Sequence, residues 1–381
     1  MKTVYFDNAA TTCIRDEVID RMTEVMKFNF GNASSSHSYG RQSKALIESS
    51  RKRIASHFNV SAAEIVFTSG GTEADNLVLR SAVRDLGVTT IITSKIEHHA
   101  ILHTLDQLVE EYGIDVKYVD LNAKGDVSIT HLESLLKSNS KQLVSLMHVN
   151  NEIGNKLDLK AVATLCKSYN ALFHSDTVQS VGHYKLDLQD IPIDYLAASA
   201  HKFHGPKGVG FAFLRKHSGL RATIFGGEQE RGLRAGTESI HNIVGLDEAL
   251  HMSYTHLDAE RVYIQELKAY FIKQLKAACP NVSFNGQCED SEKSTYTLVN
   301  VCLPMAPEKA SLLQFQLDLK GIACSRGSAC QSGSSQNSHV LTEILDDEHI
   351  KRPSVRFSFS KYNTKEEVDY VIEVLKAFIT D

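Results

Sequence analysis

The first group in this chain able to do chemistry is a cysteine set in Cys324-Ser-Arg-Gly-Ser-Ala-Cys330-Gln-Ser-Gly-Ser-Ser-Gln-Asn-Ser338. Almost every residue around Cys330 is small, polar or glycine, so the segment has no apolar face to bury and is expected to stay mobile. Cysteine is more often a buried residue. On a solvent-facing loop beside Arg326 its thiolate is favoured, and the sulfur becomes a nucleophile. The plainer reading is a floppy loop with an incidental thiol, and the loop alone does not decide between the two.

Four further motifs carry ionisable or anion-binding groups. Ser69-Gly-Gly-Thr-Glu-Ala-Asp-Asn76 follows an apolar run and opens a helical pattern. Its glycines let backbone N–H groups approach an anion at a helix start, which makes Gly71 and Thr72 natural phosphate contacts. Ser199-Ala-His201-Lys202-Phe-His-Gly-Pro-Lys-Gly208 places Lys202 close to an apolar strand end. A lysine there loses its proton more readily than a solvated one and is a candidate Schiff-base nucleophile. His201 and His204 lie three apart, but no matching carboxylate or cysteine set accompanies them, so zinc is not expected. In His174-Ser-Asp176-Thr-Val-Gln179, Asp176 is either a helix N-cap or the acid that keeps a pyridinium nitrogen protonated. Glu97-His98-His99 offers a flat imidazole to stack on an aromatic cofactor. Each motif has an ordinary alternative: a glycine-containing helix start, a surface lysine, a cap, an exposed histidine. Together, a phosphate loop, a lysine, an acid and a histidine at strand ends are what pyridoxal phosphate needs.

The elements that must position these groups are legible from periodicity. Segments 64–68, 90–93, 116–119, 143–147, 171–174, 195–198 and 209–213 read as strands, with helices such as 98–112 and 158–169 between them. That alternation predicts an α/β fold with a largely parallel seven-stranded sheet covered by helices on both faces. Ligands in such sheets bind beyond the carboxyl ends of the strands, where the motifs fall. After about residue 255 the pattern changes to a long helix (257–278), strands near 282–285, 297–303 and 355–359, and helices at 308–320 and 365–379. The expected organisation is a large domain at 13–255 and a smaller α+β domain at 256–381, joined by the N-terminal segment 1–12 and carrying the cysteine loop.

Composition narrows the class. The 381 residues are 42% hydrophobic and 23% charged, and 41 basic against 46 acidic side chains give a net charge of −5. This is an ordinary soluble balance with no basic block for nucleic acid and no apolar run long enough to span a bilayer. The N-terminal residues lack the apolar core of a signal peptide. Seven cysteines, an odd number without a CxxC pair, fit free thiols in a cytoplasmic enzyme better than a disulfide scaffold. Cys324 is expected as a buried strand-end thiol; the alternatives are a resolving thiol or a disulfide that locks the loop.

The order of motifs then carries a resemblance. Tyr5-Phe-Asp-Asn-Ala-Ala-Thr-Thr12, Phe30-Gly-Asn32, Phe67-Thr-Ser-Gly-Gly-Thr-Glu73, His148-Val-Asn-Asn-Glu-Ile-Gly154, Arg234-Ala-Gly-Thr237, Gly327-Ser-Ala-Cys330 and Arg356-Phe-Ser resemble cysteine desulfurases of the NifS/IscS-like class. These belong to the class V aminotransferase family of fold-type I pyridoxal phosphate enzymes. The resemblance implies that Lys202 holds the cofactor, Asp176 pairs with its ring nitrogen and His98 stacks on its face and shuttles protons. It assigns Gly71, Thr72, Ser199 and His201 to the phosphate, with Thr237 arriving from the other subunit of a homodimer. Asn151 and Gln179 would contact the ring hydroxyl region. Arg356 resembles the clamp for the substrate carboxylate, a task suited to its forked guanidinium, with Asn32 assisting. Cys330 falls on the cysteine that attacks the sulfur of L-cysteine, keeps it as a persulfide and passes it to an acceptor protein.

The acceptors the resemblance implies serve pathways such as iron–sulfur assembly or tRNA thiolation, and a transient iron–sulfur contact at Cys330 is the one metal contact it suggests. Relatives dedicated to iron–sulfur assembly often carry a further C-terminal segment that docks a scaffold; here the last helix runs to within a few residues of Asp381. Ala33 and Gln331 depart from the family's usual residues without touching its chemistry. A selenocysteine or cystine lyase, or an aminotransferase, would share the cofactor site. An aminotransferase has no need of a cysteine on such a loop. A silent sulfur-trafficking subunit would have no need of Lys202, Asp176 and His98.

Overall fold

The computed structural model describes residues 2–138, 140–326 and 338–380. Residues 327–337 of the segment expected to be a mobile loop, Cys330 among them, lie outside the described residues, while Cys324, Ser325 and Ser338 at its two ends are buried. The chain begins with β1 (Val4–Tyr5), α1 (Asp16–Phe28) and α2 (Ser38–His57). An alternating series follows: β2 (Ile65–Thr68), α3 (Gly71–Leu86), β3 (Thr90–Thr93), α4 (His99–Tyr112), β4 (Asp115–Tyr118), α5 (Ile129–Leu136) and β5 (Gln142–Ser145). It continues through α6 (Leu159–Ser168), β6 (Leu172–Asp176), β7 (Tyr195–Ser199) and β8 (Gly210–Leu214) to α7 (Ile240–Thr255). The remainder is α8 (Leu257–Ala278), β9 (Ser283–Phe284), β10 (Leu298–Cys302), α9 (Pro307–Leu319), β11 (Ile322–Ala323), α10 (His339–Ile344), β12 (Ser354–Ser358) and α11 (Lys365–Thr380).

All seven expected strands form one sheet, ordered β2-β8-β7-β6-β5-β3-β4, in which β8 alone runs against the rest. The Glu64 end of the first predicted strand instead closes a short 3₁₀ turn, where Ser61 and Glu64 cap one another. Alternation along the strands sorts side chains between two cores. Phe211 and Phe213 of β8 and Leu196 and Ala198 of β7 face one cluster with Phe58 and Leu246, while Ala212, Tyr195 and Ala197 face another with Leu77, Ile101 and Leu105. Each fully buried Leu or Phe stabilises the fold by about 1.5–3 kcal/mol. Strands β7 and β8 are therefore buried along their whole length and largely apolar. Edge strand β4 has no fully buried residue and carries Asp115 and Lys117, which discourages further pairing.

Helix ends obey local chemistry. Gly87 and Gly113 close α3 and α4 in the left-handed conformation at φ of 68° and 65°. The His98 ring caps α4 by accepting the Ala100 N–H at Nδ1, 3.1 Å away. In the C-terminal third, β12, β10 and β9 form an antiparallel sheet, and β1 pairs in parallel with β11, Val4 opposite Ile322. Phe6, Phe271, Phe357 and Phe359 pack there with ring centroids 5.0–6.5 Å apart. No helix among the described residues is long and apolar enough to cross a membrane.

Candidate active site

Five strand ends and the N-terminal segment bring the chemically capable residues together. At the end of β2 the chain turns through Gly70 into α3, whose first residue is Gly71. A Cβ on Gly71 would stand 2.4 Å from Val178 Cγ2, and one on Gly210 would stand 2.8 Å from Gly70 Cα. Both glycines are thus required for the loop to lie against β6 and β8. The sixteen-residue α3 aims its N-terminal amides and partial positive charge outward at this point. Ser199 closes β7 beside the loop and is buried, while Thr72 is exposed.

Lys202 ends a short 3₁₀ turn directly after β7. Its Nζ donates to the carbonyls of Ala9 (2.6 Å) and Ala10 (2.9 Å), and Gln179 Nε2 donates to the same Ala9 oxygen at 2.9 Å. The N-terminal segment therefore holds the lysine head and the glutamine amide in one place. His201 Nδ1 lies 3.1 Å from Thr11 Oγ1, which extends the same anchoring. His204 is spent structurally: its Nδ1 is 2.8 Å from the Cys13 carbonyl.

Asp176 ends β6, 6% exposed, and Oδ1 accepts the Val178 N–H at 2.9 Å. The Asx-type contact expected of a cap is present, yet the carboxyl also lies inside the site. Burial pushes it up to about 6, opposed by that N–H and by the Lys202 charge. His98 is half-buried, and burial together with the Lys202 charge lowers its imidazole to about 4, so the ring is neutral and flat at physiological pH. Burial and then Lys202 lower His201 in the same way, also to about 4. Asp176, His98 and His201 thus all lie within electrostatic reach of Lys202.

Arg356 lies on β12 and is 1% exposed. Its Nη1 donates to the Asn151 carbonyl (2.6 Å) and its Nη2 to Asp7 Oδ1 (2.9 Å), while Nε is buried with no hydrogen-bond partner among the described residues. Ser325 Oγ also donates to Asp7 Oδ1, at 2.8 Å. One N–H of a buried guanidinium is thus left to be satisfied. Asn32 stands apart: it is exposed, and its amide oxygen accepts the Ser34 N–H at 2.9 Å in a turn before α2. Thr237 is exposed as well, on a segment tied to the phosphate-type loop by Arg234 Nε donating to Glu73 Oε1 at 2.8 Å.

Several contributors were not singled out from sequence. Asp7 and Glu73 sit inside recognised motifs, but nothing in one-dimensional spacing pairs them with Arg356 and Arg234. Glu97, beside His98, is 1% exposed and accepts from Ser94 Oγ (2.9 Å) and the Met147 N–H (3.1 Å). Burial first, and Asp176 in addition, push it up to about 8 despite those two donors. Cys324 follows β11 as a buried thiol, 7% exposed in the core with Leu313, Leu317 and Phe357. Burial pushes it up to about 12, the reverse of a poised nucleophile.

The residues present fit a phosphorylated aromatic cofactor. A helix start, a lysine head, a buried acid and a neutral imidazole follow strand ends of one sheet, and Arg356 holds an unsatisfied donor. A fold of this kind with such a site defines a fold-type I pyridoxal phosphate enzyme. Residues 4–371 match the aminotransferase class-V family, to which the chain belongs. Across 99% of its length it is 37% identical to the cysteine desulfurase IscS of Dictyoglomus turgidum, covering 94% of that protein. It is 40% identical to the putative cysteine desulfurase IscS 1 of Bacillus subtilis, with 99% of each chain covered. A NifS-like protein of known structure superimposes over the whole of both chains with a TM-score of 0.90 at 34% identity.

Proposed function

We propose that this protein is a cysteine desulfurase that converts L-cysteine to L-alanine and keeps the sulfur as a persulfide on Cys330 for delivery to an acceptor protein. The observation that carries this reading is the convergence of Lys202, buried Asp176, neutral His98 and the Gly71 helix start at the strand ends, in a chain similar end to end to cysteine desulfurases. Lys202 would hold pyridoxal phosphate, Asp176 would face its ring nitrogen and His98 would cover its ring. Gly71, Thr72, Ser199 and His201 would hold the phosphate with Thr237 of the partner subunit, and Asn151 and Gln179 would flank the ring hydroxyl. When bound, the cofactor supplies an electron sink conjugated to the substrate's α-carbon.

The chain's own groups do the rest. The substrate carboxylate docks on Arg356, whose Nε lacks a partner and whose other edge is fixed by Asp7 and Asn151. Asn32 assists from its turn before α2. Lys202 Nζ, held beside the Ala9 and Ala10 carbonyls, takes the α-proton. The Cys330 thiolate then attacks the substrate sulfur. An S–S bond forms and the carbon–sulfur bond breaks with its electron pair left on carbon; that carbon takes a proton, Lys202 returns the α-proton, and alanine leaves. His98, neutral and beside Lys202, is the group that moves protons near the ring.

The same reading includes a homodimer. Phe28, Phe30 and Tyr39 are exposed by 67%, 73% and 52%, and Phe225 by 80% on the segment that leads to Thr237. Gln229 Nε2 reaches Ser34 Oγ at 3.5 Å, so these two stretches adjoin and both carry exposed aromatic side chains. We also propose the division into a large domain, 13–255, and a small one, 256–381 with 1–12. The buried clusters support it: two draw on residues 18–250, and a separate one joins Val4 and Phe6 to residues 264–375. The described cysteines are all free thiols, which suits a cytoplasmic enzyme.

The test is to incubate the purified protein with L-cysteine and assay alanine. Wild type releases alanine, and Cys330→Ala does not, while its cofactor absorbance persists. Undiminished alanine in that variant assigns the protein to the lyases instead.

A further inference from the structure

Asp75 lies one turn inside α3, 1% exposed, and takes no part in the chemistry above. Residues two apart on a strand point the same way, so β6 presents His174 and Asp176 together on the face that α3 covers. His174 is fully buried. Its Nδ1 lies 2.9 Å from Oγ of Ser145, its direct neighbour in the β5–β6 ladder, and its Nε2 lies 3.4 Å from Asp75 Oδ1. Neither that nitrogen nor that oxygen has a hydrogen bond to any described residue. The two atoms need one proton between them. Two bare lone pairs would repel, and a second proton would charge a fully buried imidazole.

The neighbours decide where that proton sits. Asp176 has the Val178 N–H and the Lys202 charge to favour its ionised form. Asp75 has neither; it faces Asp176 and Glu97, and burial with these two acids pushes its carboxyl well above the ordinary range. Burial lowers His174 to about 3, which keeps the imidazole neutral. We propose that Asp75 and His174 are positioning residues for the cofactor-facing acid: Asp75 holds a proton directed at His174 Nε2, His174 donates its Nδ1–H to Ser145, and Asp176 remains the carboxylate that would face the ring nitrogen. This deepens the proposed function and rests on its placement of Asp176. An ionised Asp75 would raise the proton affinity of Asp176, and a neutral acid there does not hold a pyridinium charge.

Infrared spectroscopy of enzyme labelled at its aspartate carboxyl carbons, with and without bound cofactor, reads the proton directly. At pH 8, where Asp176 is ionised, wild type shows the carbonyl stretch of an un-ionised aspartic acid. Asp75→Asn abolishes the band, and His174→Phe moves it to higher frequency because the acid loses its acceptor. Should His174→Phe not fold, Ser145→Ala, which removes the acceptor on the other side of the ring, must shift the band as well. In a second readout Asp75→Ala weakens cofactor affinity by roughly tenfold, and Asp75→Asn, whose amide N–H donates to the same nitrogen, restores it. A wild-type protein without the band, or a band that survives Asp75→Asn, overturns the proposal. The outcomes separate it from the desulfurase reading. A protein that shows the band but forms no alanine removes only the latter, and an active enzyme lacking the band removes only the former.

Discussion

Beneath the site, Asp75, Glu97 and Asp176 are three buried carboxyls, each pushed upward first by burial, with the Lys202 charge acting against it at Asp176. On β12, by contrast, buried Arg356 meets Asp7 at 2.9 Å with Ser325 and the Asn151 carbonyl completing the set. The two regions solve the same problem, charge away from water, in opposite ways. The floor keeps its acids neutral or waiting for a cation, so its charge state is open to a ligand. The clamp cancels its charge in place and leaves one N–H over. A site proposed to hold a cationic ring on one side and a substrate carboxylate on the other would use both.

Breaking the floor at its lysine has the largest expected effect. Lys202→Ala is expected to lower alanine release by roughly 10²–10⁴-fold, the contribution typical of a lost proton-moving group, with the protein still folded by circular dichroism. Breaking the clamp acts on stability. Asp7→Ala strands a buried guanidinium, and unfolding in urea is expected to show a loss of about 3–5 kcal/mol.

The smaller effect sharpens the contrast through pH. Without cofactor, Asp176 is raised from 3.8 to about 6, so its unfolded state ionises first as pH rises. Its contribution to stability is complete below pH 3.8 and lost as pH passes through about 6, a decline on the order of 2–3 kcal/mol. Glu97, raised from 4.5 to about 8, extends the decline to that pH. Asp176→Asn should flatten the lower part of the curve and Glu97→Gln the upper part, as read by denaturant unfolding at each pH.

Much of the floor was legible because its parts obey local rules. Parallel strands buried on both faces read as apolar runs, all seven were found, and ligand groups in such sheets follow the strand ends. Lys202, Asp176, His98 and Gly71 could therefore be placed before any contact was known. The clamp was legible only through resemblance. Arg356 sits mid-strand, and Asp7 lies 349 residues earlier, so no periodicity joins them. Asp75 read as one acidic residue on a helix, because its significance depends on which strand α3 crosses. Cys324 was expected as a buried strand-end thiol, and it lies buried in a core assembled from β11, α9 and β12. Asn32 and Thr237 are both exposed, and no periodicity marks either of them.

The central claim concerns where the sulfur goes, and mass spectrometry of the enzyme after a single turnover with L-cysteine tests it most directly. The account predicts one added sulfur on the peptide that contains Cys330, retained in Cys324→Ala and absent in Cys330→Ala. Alanine formed with no sulfur gained by the protein, or sulfur found on Cys324, would contradict it.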